Sequence, residues 1–189
     1  TVFDAMQDEV LTQFIQQMIS NEIMPSFKAP AELDVKQYSE DILARFRNPA
    51  IRHLLAQIAW DGSQKLPMRI LPAISDNLAT GKPIDKLAFA IAAWCRFIVK
   101  RYSDNEKLVD PLAEQLLAVA AQCSGNADTD VALFLAVDAV FPAELSFNKT
   151  FFSAVHAAYQ QLVSRPAAAL AVRPGLLVDR RILRPGQPL

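Results

Sequence analysis

Apolar residues recur along this chain at the three- and four-residue spacing of a helix face. No stretch alternates apolar and polar with period two for long enough to make a convincing strand. The pattern predicts an all-α fold of about eight helices. Val10, Leu11, Phe14, Ile15, Met18 and Ile19 mark one face of a first helix over 1–24, with Thr1 and Asp4 as a capping box and Pro25 as its stop. Asp34 is placed to cap a second, with Val35, Tyr38, Ile42, Leu43 and Phe46 inward. Asn48-Pro49 is placed to start a third, burying Ile51, Leu54, Leu55 and Ile58 and ending near Gly62. Ser63 opens a fourth, bearing Leu66, Ile70, Leu71, Ile74 and Leu78. Pro67 fits its first turn, and Pro72 makes it start late or bend.

The fifth helix, started by Pro83, is the most apolar and is expected to be the central buried one. It carries Leu87, Phe89, Ile91, Trp94, Phe97 and Ile98. Asp110-Pro111 opens a sixth that ends before Ser124-Gly125-Asn126. Asp128 caps a seventh around 131–140, broken by Phe141-Pro142. Asn148 caps the eighth, with Phe151, Phe152, Val155, Tyr159 and Leu162 inward.

Composition narrows what such a helical chain can do. With 52% hydrophobic and 21% charged residues, the 189-residue chain is not disordered by composition. The longest apolar stretch, 87–99, is interrupted by Arg96 and followed by Lys100 and Arg101, so no membrane span is expected. A net charge of −1 argues against a nucleic-acid binder that works by neutralising phosphates. The two cysteines, Cys95 and Cys123, form no CxxC and sit near no histidine cluster; they read as buried free thiols of a cytoplasmic protein with no metal site. The chain opens on Thr1 rather than Met and is helical from the outset, so it is expected to be a piece of something longer, without a signal peptide.

Glycine is scarce. Of five, Gly175 and Gly186 fall near the end, leaving Gly62, Gly81 and Gly125 in 1–164. A loop that cradles phosphates needs glycines to let its backbone approach the anion, and neither GxGxxG nor a P-loop occurs. The last 25 residues differ again. Residues 1–164 hold fourteen basic and nineteen acidic side chains, whereas 165–189 hold five arginines, one acid and four prolines. The expected organisation is thus an acidic helical domain over 1–164 and a basic Pro/Arg-rich tail over 165–189.

One segment concentrates polar chemistry. It runs Arg45-Phe46-Arg47-Asn48-Pro49-Ala50-Ile51-Arg52-His53, then Gln57-Ile58-Ala59-Trp60-Asp61-Gly62-Ser63-Gln64-Lys65-Leu66-Pro67. Asp61 to Lys65 brings a carboxylate, a hydroxyl, an amide and an ammonium to one inter-helix turn. Main-chain N–H groups at Ser63 and Gln64 would add donors for an anionic or polyhydroxy group. The plain alternative is helix punctuation, with Ser63 as the cap, and surface pairing for Arg45 and Arg47. His53 and His156 have no obvious sequence-local partner and read as structural or surface. Asp128 and Asp130 lack EF-hand spacing and read as cap and surface.

RFRNPAIRH…QIAWDGSQKLPMRILPAI resembles the C-terminal helical domain of the polyol-specific long-chain dehydrogenases. That family includes mannitol 2-dehydrogenase, fructuronate reductase (D-mannonate oxidoreductase) and tagaturonate reductase. TVFDAMQDEVLTQFIQQMISNEIMPSF, LAFAIAAWCRFI and LFLAVDAVFPAELSFNKTFFSAVHAAYQQL extend the likeness over roughly 1–164. The resemblance implies an NAD(H)-binding N-terminal Rossmann domain as partner and metal-independent hydride transfer between an alcohol and a ketone. It also implies a lysine general acid/base in a K-x4-N-x2-H motif, which this chain lacks. Catalytic and cofactor residues would then lie upstream of Thr1, and the chain alone would be inactive. Two substrate-contacting family positions match Lys65 and Gln57, with Asp61, Ser63 and Arg45 around them. Arginine stands at the second position in mannitol dehydrogenases, so Gln57 leans toward the fructuronate/mannonate pair over mannitol. Without its partner domain such a piece would also tend to self-associate. A reading from another class is a helical protein-interaction module, which requires a large exposed apolar patch and no polar cleft at Lys65.

Overall fold

The computed structural model describes residues 1–30 and 32–164, and every regular element among them is helical. The tail over 165–189 lies outside the described residues. The order is α1 (Val2–Ala5), α2 (Glu9–Met18), a π turn (Ile19–Ile23), a 3-10 turn (Met24–Ser26), α3 (Val35–Phe46), α4 (Leu55–Ile58), α5 (Gly62–Arg69) and α6 (Leu71–Ala79). Then come α7 (Asp85–Ser103), α8 (Ala113–Ala120), α9 (Ala127–Leu135), α10 (Ala143–Ser146) and α11 (Lys149–Ser164).

Helix α7 is central, as its composition requires. Leu87, Ala88, Ile91, Ala92, Cys95 and Ile98 are all buried, and α11 packs along it with Phe151, Val155, Tyr159 and Leu162. Helix α9 closes the third side with Val131 and Phe134. Trp94 meets Phe134 and Phe141 edge-on, each with ring centroids 6.2 Å apart. The Asn148 side chain caps α11 by accepting from Phe151 N at 3.0 Å, and Asp34 caps α3 by accepting from Gln37 N at 3.0 Å, both as expected.

The N-terminal third departs from the expected helices. The single helix over 1–24 is four pieces. Thr1 and Asp4 do form a capping box, but α1 lasts four residues, and Asp8 caps α2 afresh by accepting from Leu11 N. The π turn then widens the helix at Glu22. Glu22 is 1% exposed, and its carboxylate accepts from Lys86 N and Leu87 N at 2.8–3.0 Å. It thereby caps α7, whose own N-cap residue, Ile84, has no side chain able to do so.

The expected third helix mostly fails. Asn48 turns its side chain onto Ala50 N instead of capping a helix, and residues 51–54 have no regular structure before the one-turn α4. Leu54, Leu55 and Ile58 are exposed, not buried; of the expected second-helix face only Leu43 is buried, with Tyr38 and Phe46 exposed; and Val10 of the first face is exposed too. A helix-period apolar face is present at each place, but the described residues cover only part of the first two, through Phe14 on Phe89 and the small cluster around Leu43, and leave the face of Leu54, Leu55 and Ile58 exposed.

Other boundaries shift for local reasons. Pro72 splits the expected fourth helix into α5 and α6, while Pro67 lies inside α5 because the helix starts one residue early, at Gly62. Asn126 rather than Asp128 caps α9, accepting from Asp128 N at 2.9 Å. Asp130, expected on the surface, is fully buried: it accepts from Ser124 N, Gly125 N and the Tyr159 hydroxyl, each at 2.9 Å. Cys123 and Phe152 are half-buried rather than buried. His156 has a partner after all, Asp128 Oδ1 at 3.0 Å.

Candidate functional site

The turn from Asp61 to Lys65 is built by contacts that sequence spacing does not show. Asp61 adopts the left-handed backbone conformation at φ 57°, uncommon for a residue with a side chain. It needs it because the chain must pass from α4 into α5 within the three residues 59–61. Gly62 then sits against α7, where a Cβ would overlap Trp94 Nε1, so only glycine fits. Ser63 is buried. Its N–H donates to Asp110 Oδ2 at 2.9 Å and its hydroxyl to Asp110 Oδ1. Asp61 N donates to Val109 O at 3.1 Å. Ser63 is therefore a structural donor held from another loop, not the helix cap.

Lys65 lies in the first turn of α5, with its main-chain N–H on Asp61 O at 2.9 Å. Its ammonium folds back to the end of α4 and donates to Ile58 O at 3.0 Å and Trp60 O at 2.6 Å. Those are carbonyls that a helix end leaves unpaired, and a cation there also favours the dipole. An ammonium carries three N–H groups, so two are engaged and the third remains for a ligand oxygen. Gln57 is exposed on α4, one residue before the Ile58 carbonyl that Lys65 grips. Around them Leu55 is 42%, Ile58 47% and Trp60 43% exposed. Lys65, Gln57, Asp61 and Ser63 are thus gathered in one place. Arg45 is exposed near the end of α3, and no described hydrogen bond or ion pair joins it to the turn.

The perturbed titratable groups lie elsewhere. Burial raises the Cys95 thiol and the Tyr159 phenol, and pushes the half-buried Cys123 thiol up to about 11, helped by the Asp130 carboxylate. Among the described residues no group of three or more His, Cys, Asp or Glu could hold a metal ion, and no helix is long and apolar enough to cross a membrane. A separate apolar cavity of about 390 Å³, lined by Leu135, Phe141, Phe147 and Phe152 among others, opens beside α9 and α10. Sequence reasoning passed over Asp110, Val109 and Trp94 as parts of the site. Asp110-Pro111 signalled a helix start, which Asp110 does serve by accepting from Leu112 N, but nothing in the order of residues joins position 110 to position 63.

The family described as "Mannitol dehydrogenase C-terminal domain" matches residues 1–163. A D-mannonate oxidoreductase of Escherichia coli (strain K12) is 34% identical over 169 residues, covering 88% of this chain and 34% of its own length. A mannitol 2-dehydrogenase of Phaeosphaeria nodorum is 28% identical over 163 residues, covering 85% of this chain and 28% of its own length. The fold is that of Pseudomonas fluorescens mannitol 2-dehydrogenase, solved as a ternary complex with NAD and D-mannitol. The TM-score is 0.76 at 23% identity, over 86% of this chain and 33% of that one. The chain spans about a third of the length of the curated relatives it matches.

Proposed function

The chain belongs to the mannitol dehydrogenase C-terminal domain family, and on that premise we propose that residues 1–164 form the substrate-side domain of an NAD-dependent oxidoreductase. It would interconvert a sugar acid or polyol with its keto form, fructuronate and mannonate being the favoured pair. The observation that carries this reading is the Lys65 ammonium, fixed by two main-chain carbonyls at an exposed turn with one N–H left to donate. A positioned ammonium suits a carboxylate or a row of hydroxyls, because a charge-assisted hydrogen bond is stronger than a neutral one. Gln57, an amide in place of a second cation, can both donate to and accept from sugar hydroxyls. The relative named D-mannonate oxidoreductase supports the sugar-acid choice.

NAD(H) would supply or accept the hydride from a separate companion domain. In this reading the cofactor's pyrophosphate is held by that companion domain, since residues 1–164 carry no glycine-rich loop to cradle it. Of the three glycines in 1–164, only Gly62 opens a helix, and it is used to let that helix pack on the Trp94 indole, which lies where a Cβ would stand. The companion domain also gives the exposed Leu55, Ile58 and Trp60 something to pack against. This row is equally what a protein-interaction module requires. In the proposed reading the two coincide: the face that docks the companion domain is the face that carries Lys65. Left uncovered, the same row would drive self-association of the isolated chain.

The test is an assay of NADH oxidation with fructuronate. The chain alone should give no turnover above a blank. Carried behind a nicotinamide-binding domain of the family it should turn over. There, Lys65→Ala should raise KM for fructuronate about tenfold or more, the scale of one charge-assisted hydrogen bond, and leave KM for NADH unchanged. Turnover by the chain alone, or an unchanged KM for fructuronate in the Lys65 variant, would overturn the reading.

A further inference from the structure

Helix α5 does not cap itself. Asp61 stands at its N-cap, but the Asp61 side chain makes no capping bond. The donors at this end are satisfied by the loop over 104–112, immediately after α7. Asp110 takes both donors of Ser63, and Val109 O takes Asp61 N. The loop is itself fastened to α7, by ion pairs from Arg101 to Glu106 and from Lys100 to Asp104. It is therefore a strap laid from the central helix across the start of the turn that bears Lys65.

We infer that Asp110 is the positioning residue for the Lys65 ammonium. The substrate role this gives it rests on the reading of Lys65 as the substrate's donor. Three consecutive links join the carboxylate to the ammonium. Asp110 and Val109 pin Ser63 and Asp61, which holds Asp61 in a left-handed conformation that persists only where surrounding contacts over-determine it. Asp61 O holds Lys65 N, and the residue before Asp61 supplies the Trp60 carbonyl that Lys65 Nζ grips. Both ends of the ammonium's cradle, its own helix turn and its carbonyl acceptor, thus hang on residues 109 and 110, with the Asp110 carboxylate as the side-chain hold. Release of Asp110 lets Asp61 relax to an ordinary conformation, which separates Nζ from the carbonyls of Ile58 and Trp60. A carboxylate that merely started α8 would need only its bond to Leu112 N and would leave Lys65 untouched.

The experiment measures the reactivity of the Lys65 amine in the whole 189-residue chain. Trace labelling with acetic anhydride is read by mass spectrometry, with the exposed Lys36 and Lys149 as internal references. Asp110→Asn should raise the Lys65 rate about tenfold over those references, the scale of one charge-assisted hydrogen bond lost. Ser63→Ala keeps the main-chain bond and loses only the hydroxyl, and should raise it about threefold, the scale of a neutral bond. An unchanged Lys65 rate in a folded Asp110→Asn chain overturns the inference. Should that variant not fold, an unchanged rate in Ser63→Ala overturns it instead. Behind a cofactor domain, Asp110→Asn should raise KM for fructuronate and leave KM for NADH alone. If Lys65→Ala leaves turnover intact while Asp110→Asn still frees the amine, the substrate reading falls and the positioning stands.

Discussion

The two stretches on either side of Asp61 treat similar apolar patterns differently. After it, one continuous core runs from Leu66 to Leu162 and takes in the inward faces of α6, α7, α8, α9 and α11. Before it, the buried apolar residues are few: Val2, Ala5, Met6 and Leu43, with Ile15 and Ile19 leaning on them. The later stretch is held by its own packing. The earlier one is held by polar fastenings, chiefly Glu22 on α7 and Asn77, which donates to Glu22 O at 2.7 Å and Pro83 O at 3.1 Å. The lesson is one of division of labour. A self-sufficient core fixes the scaffold, and the more weakly packed stretch leaves Leu54, Leu55, Ile58 and Trp60 exposed next to the turn that carries Lys65.

The comparison breaks most visibly in the core. Phe134 is fully buried against Trp94, so Phe134→Ala should cost about 3–5 kcal/mol in denaturant unfolding. Leu43→Ala, in the small cluster, should fall at the low end of its class, about 2 kcal/mol. Equal losses would mean that the two stretches are one core. Next comes Glu22→Gln, which puts an amide donor where two main-chain donors already point. It should cost about 1–3 kcal/mol, and native-state hydrogen exchange should rise over 9–26 before it rises in α11. A uniform rise would show that the fastening belongs to the core. The smallest effect is expected at Ile58, which is already exposed. Ile58→Gln should change stability by no more than about 0.5 kcal/mol while reducing self-association by gel filtration.

The same contrast explains how much could be read in advance. The inward faces of α7 and α11 were legible because periodicity and burial coincide there, and the Asp34 and Asn148 caps because a cap is a three-residue event. The faces around Leu54, Leu55 and Ile58 misled because periodicity says that a side is apolar, not that something lies against it. At the site, the gathering of Gln57, Asp61, Ser63 and Lys65 was visible as local density. Its hold on Asp110 was not, because the two positions are 47 residues apart and a carboxylate before a proline looks the same whether it serves one helix or two. Asp130 was misplaced for the same reason, its buried partner Tyr159 lying 29 residues further on.

The π turn at Ile19–Ile23 has a consequence for how this helix tolerates change. Met24 N reaches back five residues to Ile19 O, one more than an α-turn spans. The extra residue turns the side chains that follow it by about 100° relative to those of α2, as if a single letter had been inserted into an α-helix and never removed. Glu22, inside this turn, reaches the start of α7 from it. Lengthening or shortening the turn by one position would rotate the carboxylate away while leaving every side chain in the stretch chemically unchanged. Its length, as much as its composition, is what couples the start of the chain to the core.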